Sequence, residues 1–597
     1  MALGNQVAGL LGAMGGLLAA VTDRGGTYPA RIRRIAVAGL FGGAGGLLLG
    51  VLVHGRGWIA VLVLVLVAGL SAVLTAAGAT LAITGLQLLV YTILGTGPLG
   101  AARPWWLAPL LLLAGLGWAI LLLVPAWLAA PLAAEQRSTA QVYRALARML
   151  RAAGTPEFPA AHQAVVGALN QAWDNLASRR AQASGRDPEL NRVAALLRQT
   201  HPLTEAAVTL VHEGVQAPPV IATIEAIADA IQYGTPVTSA RPAGGPTPGG
   251  PTPGGQALAA AVAGAADLVS GKRAAEGAYR PRRPALRERL RDTLAETIGG
   301  RFTRIFVVRL MLSIGVAALV SEALPVQRSY WVVLTVAIVL RPDFGSVFAR
   351  ALQRGIGTVV GAVVGAVVLI IVPAGPLLLI PCAFFAGLLP YGRDRNWGLF
   401  SAFLTPLVVI LIDLLTRAGW ALALDRLIDT VLGCAIVLLV GYAPWPSSWH
   451  AHLPEHFATA LDSVARYTDQ ALTGAAGRSA LRRQTYRVLS DLRTEFQRTM
   501  AEPPSVSRRL ARLWPALTAL EQVTDTVTAT AVHADVTGPR PGPREVAPLA
   551  DALRSLASGI RDGQLPEDLP LPDRADVREL ADQIAELGRA LTGEHAA

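Results

Sequence analysis

The sequence predicts an all-α, polytopic membrane protein with two repeated blocks of transmembrane helices and a cytoplasmic helical bundle after each block. Three observations carry that prediction. Of the 597 residues, 52% are hydrophobic and 16% charged, against about 25% charged in soluble domains. Apolar runs near the length that crosses a bilayer recur in two clusters. The long stretches after each cluster show amphipathic helical periodicity instead.

The first block, residues 1–133, contains apolar runs at Leu3–Val21, Ile35–Val53, Trp58–Ala76, Ala79–Gly95 and Trp105–Val124. The second, residues 299–445, contains Ile305–Ala323, Tyr330–Leu340, Gly355–Val372, Leu377–Leu389, Trp397–Ile412 and Leu427–Tyr442. A bilayer core about 30 Å thick takes about 20 helical residues. Several runs are shorter, but they stand in series with tight loops, so each is read as a span. The total is about eleven spans, five and six in the two blocks. The run that opens at Leu3 lacks a basic leader and is not read as a signal peptide.

Charge supplies the topology. The formal net charge is +11 and the basic residues are almost all arginine. If the chain after Tyr442 is cytoplasmic, the inner loops hold Arg24, Arg31, Arg33, Arg34, Arg341, Arg350, Arg354, Arg393 and Arg395. The outer loops hold single arginines, Arg56, Arg103, Arg328 and Arg417. That bias is the positive-inside pattern. It makes "RPDFGSVFARALQR" a cytoplasmic turn between two spans. A basic total of this origin does not call for nucleic acid.

The blocks match each other at a constant offset of 320: Asp343 with Asp23, Gly345 with Gly25, Arg354 with Arg34, Gly365 with Gly45 (for example 343 − 23). Thr405-Pro406 and Thr84-Gly85 hold similar mid-span places, one residue out of register. An internal duplication is the expected cause, and transporters commonly set their site at such a repeat interface. The counterpart of Ile305–Ala323 would lie before Met1, which puts the N-terminus outside.

Between the blocks, residues 134–298 read as a helical domain that carries a Pro/Gly linker at 236–256, "GGPTPGGPTPGG" at its centre. Val142, Leu146, Met149 and Leu150 line one side of the opening helix. Residues 446–597 read as a second helical bundle, interrupted near "TGPRPGPREVAP".

"YWVVLTVAIVLRPDFGSVFARALQRGIGTVVGAVVG", then Leu404-Thr405-Pro406, then "ALDRLIDTVLG" at Ala423–Gly433, resembles the fusaric acid resistance family, also called the aromatic acid exporter-like family. The resemblance covers most of the chain. Its Tyr-Trp to Arg-Gly-x-Gly-Thr motif is quite specific, and the rest is loose. It implies an inner-membrane transporter of aromatic or other organic anions and toxic acids, distantly similar to plant anion channels of the malate-transporter type with arginines along the pore. The absent first span departs from the family's pattern.

Candidate pathway residues follow from chemistry. Guanidinium forks suit carboxylates and stay charged at any working pH. Arg341, Arg350 and Arg354, with Arg31 and Arg34 in the first block, are placed to ring a pore entrance. The bland alternative is plain positive-inside topology, with Asp343 or Asp23 paired to a neighbouring arginine. Thr405 and Pro406 break a span in its middle. Tyr330 and Trp331 stand where interfacial anchors belong, with stacking on a substrate the second option. Arg426 and Asp429, at i and i+3, share one helix face as an ion pair or a coupling site. Asp413 closes its span and is the candidate for proton coupling. Gly357, Gly361 and Gly365 form a packing stripe for close helix approach.

No enzyme motif is present. The single Lys272 follows Gly271 and precedes Arg273, so no P-loop exists. There is no H-E-x-x-H, C-x-x-C or G-x-S-x-G, and Cys382 and Cys434 lie inside apolar runs. No catalytic residue, cofactor or metal is expected. The expected partners are the lipid bilayer and a small organic anion, exported under the proton gradient. A passive anion channel-like pore gated by the bundles, and a non-transporting scaffold, are the other classes. The sequence leaves open whether the chain forms a homo-oligomer.

Overall fold

Apolar composition and helical periodicity produce helices throughout. The computed structural model describes the chain except residues 1–5, 24–25, 102–103, 181–187, 217, 236–251, 273–300, 324–329, 341–346, 374, 417–420, 446–452, 476, 501–512, 567, 576 and 593–597. Among the described residues there is no strand, and the chain is an all-α, polytopic membrane protein. It divides into two compact units.

Unit 1 combines both membrane blocks, Met1–Ala129 with Pro281–Trp449. The first block is α1 (Gln6–Thr22), α2 (Tyr28–Val53), α3 (Trp58–Ala76), α4 (Ala79–Thr96) and α5 (Leu107–Ala129). Thr27 precedes α2 and Pro29 sits in its first turn, where a missing N–H does no harm. α2 widens to a π-helix over Ala38–Ala44, a stretch of mostly small residues that tolerates a bulge.

The intervening chain supplies α6 (Ala133–Arg151), α7 (Phe158–Arg180), α8 (Pro188–His212), α9 (Pro218–Tyr233) and α10 (Pro253–Val269). The second block is α11 (Arg301–Ala323), α12 (Tyr330–Val339), α13 (Val347–Ile371), α14 (Leu379–Arg395), α15 (Trp397–Thr416) and α16 (Ala421–Ile436), which continues as a π-helix over Val437–Tyr442. A helix therefore lies at every expected apolar run. Among the described residues six helices, α2 to α5, α11 and α13, are long and apolar enough to cross a membrane; α1, α12, α14 and α15 contain shorter apolar helices.

Neighbour order in unit 1 has a pattern. In the first block α1 packs on α5, α2 on α4 and α5, and α3 on α4. In the second, α12 packs on α16, α13 on α15 and α16, and α14 on α15. Glycine permits these approaches. A Cβ on Gly42 would stand 2.7 Å from the Thr84 carbonyl, and one on Gly46 2.4 Å from that of Leu88. On α13, a Cβ on Gly357 would reach the Gly398 carbonyl at 2.3 Å and one on Gly361 the Ala402 carbonyl at 2.8 Å. The expected packing role of Gly357 and Gly361 follows from these distances; Gly365 is looser, 3.3 Å from Pro406. Exposed Ile356, Val360, Val363, Val367 and Ile370 cover another side of α13, as a lipid-facing surface requires.

Unit 2 joins Ala130–Arg280 with His450–Ala597. Its second half is α17 (Leu453–Thr473), α18 (Arg478–Met500), α19 (Trp514–Thr537), α20 (Pro543–Asp562) and α21 (Arg578–Thr592). The two stretches expected to form separate bundles pack together. Glu205 on α8 lies 3.0 Å from Arg478 and 3.4 Å from Arg482, both on α18.

Two boundaries move. The linker expected over 236–256 ends earlier, because Pro253–Gly255 is the first turn of α10. Thr252 accepts the Gly255 N–H as N-cap, and Glu213 takes the Gly254 N–H at 2.9 Å. Residues 236–251 lie outside the described residues. The charged stretch read as a turn is helical from Val347 onward, so Arg350 and Arg354 are on α13.

The glycine stripe gives a direct test. Gly361→Val forces a branched side chain against the Ala402 carbonyl and Thr405, and overpacking of this kind costs about 1–3 kcal/mol. Gly387→Val, on α14 with open space around it, is the control. Thermal unfolding in detergent is expected to drop for the first and stay near wild type for the second.

Candidate functional site: two buried guanidiniums in the second block

α13 carries Arg354 inward on its second turn. The side chain is 1% exposed, and its Nη1 donates to Ser401 Oγ on α15 at 3.4 Å. Its Nε has no hydrogen-bond partner. Cys434 Sγ on α16 donates to the Ala351 carbonyl at 3.5 Å, one turn earlier on α13.

α16 begins at Ala421, so Arg426 and Asp429 lie within it and not at its entry. Both are buried, at 4% and 1% exposed. Gly433 brings α16 onto α12: a Cβ there would meet Thr335 Cβ at 2.7 Å and the Val332 carbonyl at 3.0 Å. That approach sets the Arg426 guanidinium 3.3 Å from the centre of the Trp331 ring, a cation–π contact. Nε and Nη1 of Arg426, and Oδ2 of Asp429, have no hydrogen-bond partner. The expected Arg426–Asp429 ion pair is thus not closed. The guanidiniums of Arg354 and Arg426 lie within electrostatic reach of each other, and among the described residues neither makes an ion pair.

The other expected residues divide. Trp331 is buried beneath Arg426, so it is not an exposed interfacial anchor; Tyr330 stacks on it with ring centres 5.1 Å apart. Arg350 donates Nε to the Val339 carbonyl at 3.3 Å and closes the end of α12. Arg31 is committed to Asp23 through two hydrogen bonds, one of 2.9 Å, the bland alternative for that pair. Arg34 is half-buried on α2. Thr405 donates to the Ser401 carbonyl at 2.8 Å. Pro406 cannot donate to Ala402, yet the freed carbonyl faces Gly361 and is covered. Asp413 is buried near the end of α15. Arg341 and Asp343 lie outside the described residues.

Sequence reasoning missed Arg309, fully buried on α11. Its signal was present: an arginine inside an otherwise apolar run, three residues after Phe306. Thr335 and Ser401, both buried, were also passed over; a hydroxyl inside a span has no mark that separates a site from backbone bonding.

What this arrangement does chemically is bury two positive charges with no ion pair closed on either, Asp429 acting on Arg426 electrostatically without a direct bond. Burying unpaired charge is costly. Arg426→Met and Arg354→Met are therefore expected to match or exceed the wild-type Tm in ligand-free detergent solution. A fall of more than a few degrees for both would mean that the guanidiniums hold the fold together.

Residues 316–440 match the family model described as fusaric acid resistance protein-like. The chain is 29% identical over 168 residues to the inner membrane protein YccS of Escherichia coli (strain K12), covering 28% of this chain and 23% of that protein. It is 28% identical over 213 residues to YhfK of the same organism, 34% and 30% of the two chains. A Haemophilus influenzae protein is 27% identical over 160 residues, 27% and 22%. The matched stretches thus span less than a third of these relatives' length. No solved structure matches the chain. The stretch that is similar to the fusaric acid resistance protein-like family, residues 316–440, lies within the second membrane block.

Proposed function

We propose that this protein is an inner-membrane transporter that exports organic anions, aromatic carboxylates foremost, with Arg354 and Arg426 as the anion receptor. One observation carries the reading: two guanidiniums, buried together with no ion pair of their own among the described residues. A carboxylate entering between α13 and α16 supplies the missing charge and accepts from the unspent N–H groups. Trp331 and Tyr330 offer an aromatic wall beside it.

The stretch similar to the fusaric acid resistance protein-like family includes all four residues, and the name of the Escherichia coli relative YccS supports the inner membrane as the location. The arginine bias of the loops supports a cytoplasmic place for unit 2. The recurring neighbour order in the two blocks supports an internal duplication. Asp429 stands one turn from Arg426 with a buried, unpartnered oxygen. It is the group through which a proton enters the cycle, in preference to Asp413 at the far end of α15.

Proteoliposomes loaded with radiolabelled benzoate test this. Wild-type protein is expected to accelerate benzoate exit, and a protonophore to collapse the concentrative part. Arg354→Gln and Arg426→Gln each lose a charge-assisted contact of about 1.5–3 kcal/mol, or roughly tenfold to a hundredfold in flux at limiting benzoate. Wild-type flux in both variants would remove the assignment.

A further inference from the structure

Unit 2 contains a cavity of about 1020 Å³ that the membrane site does not use. It lies between α7, α8 and α18, so both soluble stretches of the chain build it. Its walls combine aromatic faces with positive charge. Trp173 stacks on His201 with ring centres 5.4 Å apart and an interplanar angle of 14°, and the Arg483 guanidinium sits 4.4 Å from the Trp173 ring centre. Arg198, Arg482 and Arg487 also line the space. The carboxylate among its lining residues, Asp174, is 3.2 Å from Arg487.

The hydrogen-bond ledger leans toward donors, although Nε2 of His162, another lining residue, is also without a partner. Arg483 Nη1 lies 3.0 Å from His201 Nε2. A guanidinium only donates, so Nε2 accepts and the imidazole proton is on Nδ1. Burial, then the charges of Arg482 and Arg483, push the His201 pKa down to about 2, so the ring is neutral at physiological pH. His201 is 7% exposed, and its Nδ1–H has no acceptor. The same holds for Trp173 Nε1–H and for Nη1 of Arg482, a side chain 2% exposed. Three groups around one cavity are donors left over, and buried donors without acceptors are rare in native proteins.

We propose that this cavity binds a small organic anion built on an aromatic ring, a nucleotide or an aromatic carboxylate. The ring enters among the side chains of Trp173 and its neighbours. The anionic group and ring acceptors take the spare donors of His201, Trp173 and Arg482. The volume is at the upper end of the roughly 300–1,000 Å³ typical of small-molecule pockets, which gives room for a nucleotide. The site is separate from Arg354 and Arg426, and its existence does not depend on the membrane reading.

Isothermal titration of the full chain in detergent micelles with AMP, benzoate and inorganic phosphate decides it. Each titration is repeated on Arg426→Gln protein, so that heat from the membrane site is separated. AMP or benzoate is expected to saturate one site per chain, with inorganic phosphate at least tenfold weaker. Saturation by AMP assigns a nucleotide, and saturation by benzoate alone assigns a carboxylate. Trp173→Phe, which keeps an aromatic ring and removes the N–H, and Arg483→Gln are expected to weaken binding about tenfold at unchanged Tm. Absence of saturation by both aromatic anions, phosphate binding as tight as theirs, or wild-type affinity in both variants would overturn the proposal.

Discussion

Taking a guanidinium out of water without a counter-charge costs several kcal/mol even after the surroundings relax. Inside a membrane protein such charges are rare and face an interior or an aqueous path. The second block places two of them, Arg354 and Arg426, close enough to act on each other. The aromatic face of Trp331 and one long hydrogen bond that Arg354 donates to Ser401 offset only part of that. The apolar packing of α12, α13, α15 and α16 has to hold the pair in place, with no ion pair closed on either guanidinium among the described residues.

The packing that does this depends on small residues. Lipid tails are as apolar as leucine, so helices in a bilayer gain by close contact and not by hydrophobic exclusion. Gly357 and Gly361 let α13 meet α15 backbone to side chain, and Gly433 does the same for α16 against α12. The first block uses Gly42 and Gly46 on α2 against α4 in the same way. There, however, Arg31 closes on Asp23. The two blocks share a packing plan, and Asp343, the counterpart of Asp23, lies outside the described residues.

Much of this was legible in the sequence. Apolar run length located a helix at each expected place, because spans have few ways to satisfy their backbone. Arg354, Arg426, Asp429 and the glycine stripe were readable as residue types out of keeping with their surroundings. What periodicity could not supply is depth and partnership. Arg354 and Arg350 sit four residues apart in one charged stretch, yet one is buried and the other closes a helix end. The difference arises from depth along α13, which starts at Val347: Arg350 lies in its first turn and Arg354 a turn further in. Nor did composition show that the stretches after the two membrane blocks share one unit, because Glu205 and its arginines on α18 are more than 270 residues apart (478 − 205). The cavity beside them is a product of that long-range pairing, so no local pattern announces it.

The central claim is that the Arg354–Arg426 pair meets an aqueous anion inside the membrane block. Thiol accessibility at that point tests it most directly. In protein with Cys382 and Cys434 changed to serine, Ser401→Cys, which stands beside Arg354 and keeps both guanidiniums, is treated with a charged, membrane-impermeant methanethiosulfonate, with and without benzoate. The account predicts modification from one side of the membrane, slowed when benzoate is present. A cysteine that stays unmodified from both sides, or reacts at the same rate with benzoate bound, would contradict it.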